Sequence, residues 1–163
     1  MKSEIFPHYT EIIKEERKVV RMIQSFWVSD SRKMTVCVDD YDKGILRGRF
    51  YNAFHDAGSF ESLSQFLIRM EALLEESQTP QSYTSHRTFS QILRPDDGTL
   101  PPAPAQKGRK ATFELQVLFR QHSSWQGILI WKERGAEQSF RSVLELVMLM
   151  DSALRDMEGS VAS

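Results

Sequence analysis

Four histidines, one cysteine and a knot of aspartates are the side chains with the most reactive chemistry in this chain. His8, His55, His86 and His122 keep no regular spacing, and no two stand at i, i+4 as a helical metal pair requires. His86, beside Arg87, reads as a solvated residue, and His55 and His122 fall near hairpin ends. Cys37 would become a nucleophile only with a base close enough to lower its pKa. Set between Val36 and Val38, it reads instead as an inert thiol on the strand face turned away from the core. Asp39, Asp40 and Asp42 crowd one turn without the spacing of a calcium loop, which suits a solvated acidic tip. Gly44 and Gly48 lack the strand-to-helix context that cradles phosphate. The expectation is a non-enzyme with no catalytic, cofactor or metal-binding residue.

Two basic features remain. Arg47 and Arg49 flank Gly48 with Tyr51 close by, a basic and aromatic mix able to neutralise and stack on a nucleic acid. Lys107, Arg109 and Lys110 form a second short basic run. Together these six residues define an alternative expectation, a nucleic-acid-binding accessory protein. The whole-chain charge gives it no help: Lys+Arg 21 against Asp+Glu 22 leaves a formal charge of -1.

The elements that position these residues follow from length and patterning. At 163 residues, 40% hydrophobic and 26% charged, the chain suits one folded domain. A single cysteine leaves no internal disulfide and favours a reducing compartment, so a cytoplasmic location is expected. The opening Met1–Pro7 lacks the apolar run of a secretory signal. Val143–Met150, the most apolar window, is too short to cross a bilayer and holds Glu145.

Self-similarity organises the rest. Ser59–Leu74 aligns without a gap on Ser139–Leu154, with Ser59/Ser139, Phe60/Phe140, Ser62/Ser142, Met70/Met150 and Leu74/Leu154 identical and Glu71/Asp151 alike. Upstream, Gly48 falls on Gly127 and Met34–Val38 on Phe113–Val117. Each copy reads as strand, turn, strand, helix. Phe113, Leu115, Val117 and Phe119 alternate with their neighbours, as do Met34, Val36 and Val38. Phe60, Leu63, Phe66, Leu67, Met70 and Leu74 form a helical stripe, with Ser59 and Ser139 as expected N-caps. Repeat one spans 34–76 and repeat two 112–157. A linker over 77–111 holds five of the six prolines, and a helix is expected over 9–27.

The predicted architecture is α+β. Two hairpin-helix repeats pair into a four-stranded antiparallel sheet with both helices on one face, plus the N-terminal helix. Ile128, Ile130 and Trp131 make the second strand of repeat two apolar on both sides. Leu144, Met148 and Leu149 make its helix apolar nearly all round. These six residues predict a self-associating protein-interaction module, a possible homodimer with a partner of unidentified kind and no membrane.

The stretch Leu118-Phe-Arg-Gln-His-Ser-Ser-Trp-Gln-Gly127, continued by Ser139–Leu146 and Leu149–Leu154, resembles a recurrent module of small uncharacterised bacterial proteins. The resemblance implies a bacterial, domain-like origin and brings with it no activity, cofactor or site residue.

Overall fold

The computed structural model describes residues 15, 17–19, 32–52, 57–78, 80–89 and 106–161. The helix expected over 9–27 therefore lies largely outside the described residues, although Glu15 and Arg17–Val19 are helical. His8 and His55, and the linker between 90 and 105, also lie outside them.

The chain is α+β, with one antiparallel sheet of six strands rather than the four expected. The strands are β1 Lys33–Asp42, β2 Ile45–Asn52, β3 Ala57–Phe60, β4 Ala111–Phe119, β5 Gln126–Trp131 and β6 Ala136–Phe140. The helices are α1 Leu63–Ser77 and α2 Val143–Val161. Strand order is β3-β2-β1-β4-β5-β6, so β1 and β4 meet at the centre and β3 and β6 form the edges. The added strands are the edges, where one flank has no ladder partner and a short polar segment suffices.

These edges correct the expected caps. Ser59 and Ser139 belong to β3 and β6, with Phe60 and Phe140 buried behind them. The helices begin three residues later. Ser62 Oγ accepts from the Gln65 amide at 3.3 Å, and Ser142 Oγ accepts from the Glu145 amide at 3.2 Å. Each satisfies an amide that the first helical turn leaves without a partner. The Gln65 and Glu145 side chains reach back to the Glu61 and Arg141 amides at 2.6 and 2.7 Å, a capping box displaced by one residue.

Both helices cover the same sheet face. Val36, Val38, Phe50, Phe113, Leu115 and Leu129 project from it into one core with Phe66 and Met70 of α1 and Leu146 and Met150 of α2. Phe50, Phe60 and Phe66 meet ring to ring, with centroids 5.1–6.4 Å apart. Gly48 lies beneath this aromatic layer, and Gly127 lies beneath Phe140. A Cβ on Gly48 would stand 2.0 Å from the Cys37 carbonyl oxygen and 3.0 Å from the Phe60 ring. A Cβ on Gly127 would stand 2.0 Å from the Gln116 carbonyl oxygen and 3.0 Å from the Phe140 ring.

The acidic turn expected at Asp39–Gly44 is mostly strand. β1 runs on to Asp42, and the reversal is confined to Lys43 and Gly44, both with positive φ (48° and 85°). A two-residue turn of that kind matches the twist of the strands it joins. Register shifts by one residue between Val38 and Asp40 in β1 and between Val117 and Phe119 in β4. Each bulge inverts the alternation beyond it. Tyr41 and Arg120 are thereby turned toward the helices rather than solvent.

Candidate functional site

Arg120 follows β4 with its side chain only 2% exposed. Its Nη2 donates to a carboxylate oxygen of Glu71 and, at 2.8 Å, to Glu75, both on α1. Its Nη1 donates to the Pro80 carbonyl at 3.2 Å. The indole Nε1 of buried Trp125 donates to the other Glu71 oxygen, and His86 Nε2 lies 2.9 Å from Glu71 Oε1. Burial raises the pKa of Glu71, but the hydrogen bonds from Trp125, Arg120 and His86 outweigh it and hold the carboxyl below its usual range. Arg120 likewise keeps Glu75 ionised. The Nε of Arg120 is buried without an acceptor.

A matching contact ties the other helix. Tyr41 Oη donates to Asp151 Oδ1 of α2 at 2.6 Å. The first strand of each half thus holds the helix that follows the other half.

Around Glu71 opens a groove of about 580 Å³ between α1, residues 84–86 and the 123–125 turn. Leu67, Ile68, Ala72, Trp125 and Val143 form its apolar lining. The Thr84 and Ser123 hydroxyls, 3.1 Å apart, tie its outer wall to the turn. His122 and Ser123 shape that turn with positive φ of 54° and 56°.

The opposite sheet face carries a second polar cluster. Arg49 grips Asp39 with two bonds of 2.7 and 3.0 Å and donates to Tyr51 Oη at 3.0 Å and the Lys107 carbonyl at 3.2 Å. The Arg109 amide adds a bond to Asp39 at 3.2 Å, and the Lys110 amide pairs with the Val38 carbonyl at 2.9 Å. Burial opposes ionisation of Asp39, yet its bonds to Arg49 and the Arg109 amide hold its pKa low. Cys37 lies at the edge of this cluster, fully buried, with its thiol pushed up to about 11 chiefly by burial. That makes it an inert thiol.

The residues expected to bind nucleic acid are therefore placed together in part, and two corrections follow. Tyr51 is 5% exposed, so its ring offers no open face for a base to stack on. Arg49 spends its fork on Asp39 rather than projecting as a free cation. Arg47 is half-exposed and pairs with Asp40 at 2.7 Å and Glu61 at 3.5 Å.

The residues expected at a protein interface divide among three places. Ile128 and Ile130 pair with Gln116 and Glu114 on the sheet face away from the helices. Trp131 pairs with Phe113 and so belongs to the helix-covered face, opposite the two isoleucines. There it packs against the core, with the Arg134 guanidinium 4.7 Å from its ring centre. Leu149 also packs partly against the core. Leu144 and Met148 stand outward from α2, 67% and 62% exposed.

Sequence reasoning missed Arg120, Glu71 and the groove. One signal was present: an acid stands at the same helical position in the two aligned segments, Glu71 and Asp151, within an apolar stripe. No group of three or more potential metal-ligating side chains occurs among the described residues. No helix among them is long and apolar enough to cross a membrane. No protein-family profile, curated protein or solved structure matches the chain.

Proposed function

We propose that this chain is a non-enzymatic, cytoplasmic protein-interaction module that self-associates through the outer face of α2. The observation that carries the reading is the exposure of Leu144 and Met148, one helical turn apart, at 67% and 62%. At the aligned positions of α1 stand Ser64 and Ile68, so the apolar pair belongs to α2 alone. Large apolar side chains held adjacent and outward stabilise a complex when a partner removes them from water. Arg141 and Glu145, paired along the same surface, supply a polar rim. Ile128 and Ile130, partly buried on the sheet face opposite α1 and α2, offer a second, smaller apolar strip.

The two halves are, on this reading, copies of one three-strand-and-helix unit. The equivalent glycines beneath Phe60 and Phe140, the two bulges and the exchanged helix contacts support it. So does the central pairing: Thr35 lies opposite Glu114, its own counterpart in the alignment.

Light scattering on the full chain tests self-association. The wild type is expected to elute as a dimer at about 100 µM. A Leu144→Lys/Met148→Lys variant should be monomeric, with a Tm within about 2 °C of wild type because both sites are exposed. A monomeric wild type, or a variant that dimerises as well as the parent, overturns the assignment.

A further inference from the structure

We propose that the groove beside Glu71 binds a small organic cation carrying an apolar tail. Its volume of about 580 Å³ lies within the range of small-ligand sites. The lining is apolar along α1 and the Trp125 turn, its charged side chains are Glu71, Glu75 and Glu76, and His86 stands beside them. Arg120, the guanidinium next to these carboxylates, does not line the groove. It is buried and directed to Glu71, Glu75 and the Pro80 carbonyl. An entering anion meets like charge with no uncommitted guanidinium to receive it, whereas an ammonium meets carboxylate oxygens above an apolar floor.

Preorganisation favours the same ligand. The His86–Glu71 and Thr84–Ser123 contacts, at 2.9 and 3.1 Å, fasten residues 84–86 across the opening. The groove therefore exists before a ligand arrives, which lowers the ordering cost of binding. Burial of the tail should strengthen binding about fourfold for each methylene removed from water. Leu144 and Met148 do not line this groove, so the proposal stands apart from self-association.

NMR titration of the full-length ¹⁵N-labelled protein tests it, with n-butylammonium, n-hexylammonium, n-hexanol and n-hexanoate as probes. n-Hexylammonium should shift the amides of Leu67–Glu76 and the Trp125 indole, binding about sixteenfold more tightly than n-butylammonium. Hexanol should bind more weakly, and hexanoate should leave these signals unmoved. Ala72→Trp, which fills the groove, should abolish the shifts. Ile68→Ser, at an exposed position, should weaken them if the bulkier variant fails to fold. Equal binding of hexanoate or hexanol, absence of shifts with either amine, or shifts that persist in both variants overturns the proposal.

Discussion

Arg120→Leu should destabilise the protein by about 3 kcal/mol, the lower end of the cost of removing one partner from a buried ion pair. The lower end applies because Glu71, at 22% side-chain exposure, keeps Trp125 and His86 as partners. Glu75 is largely exposed and rehydrates, so its loss adds little. For a chain of this length about 3 kcal/mol corresponds to a fall of about 6–12 °C in Tm. Arg120→Leu/Glu71→Leu should recover part of this loss and lie about 1–2 kcal/mol below wild type, because it removes the stranded carboxylate but leaves the buried Trp125 indole N–H without its acceptor. The pH dependence has a definite sign. The pKa of Glu71 lies below its usual 4.5 in the folded protein, so its contribution is complete above 4.5 and is lost as pH falls through the depressed value. As pH falls below about 5, the wild type should therefore lose stability more steeply than the double variant. Urea unfolding followed by circular dichroism, repeated across that range, measures all three proteins. A single variant within about 0.5 kcal/mol of wild type would refute the reasoning. So would a double variant as unstable as the sum of its parts.

Gly48→Ala should cost about 2 kcal/mol, since the added methyl group meets the Cys37 carbonyl oxygen of the neighbouring strand. Gly44→Ala has open space around it and should cost about 1 kcal/mol, from its φ of +85° alone. Chemical denaturation separates the two, and equal costs would mean that the close approach at Gly48 does not matter. Cys37, fully buried with a thiol pKa of about 11, should label with a thiol reagent only at the rate of unfolding. Rapid labelling of the native protein, followed by absorbance, would contradict its placement.

The central strands were legible because burial on one face imposes alternation. Met34, Val36 and Val38 of β1, and Phe113, Leu115 and Val117 of β4, lie in the core as their spacing predicts, whereas Phe119, expected with them, is turned outward by the β4 bulge and is 54% exposed. The edge strands were hidden for the complementary reason. β3 has four residues, and Glu137, Gln138 and Ser139 of β6 carry no apolar period. Phe60 and Phe140 were then absorbed into helical stripes that in fact begin at Leu63 and Val143. The bulges were equally invisible, since one inserted residue has no compositional mark. They decide the candidate site: without them the alternation would not bring Arg120 to Glu71 or Tyr41 to Asp151. Leu144 and Met148 stand outward from α2, whereas Leu149, grouped with them by helical spacing, packs against the core.

The β1–β4 seam makes the peptide connection between the halves mechanically redundant. Six antiparallel residue pairs, Lys33↔Gln116 to Val38↔Ala111, and contacts from each half to the other's helix join them in space. A chain cut between residues 90 and 105 would leave every one of those contacts in place. The two pieces would lose only the loop-closure advantage of being tethered, which grows slowly with tether length. That geometry suits the molecule to fragment complementation, each polypeptide serving as template for the other.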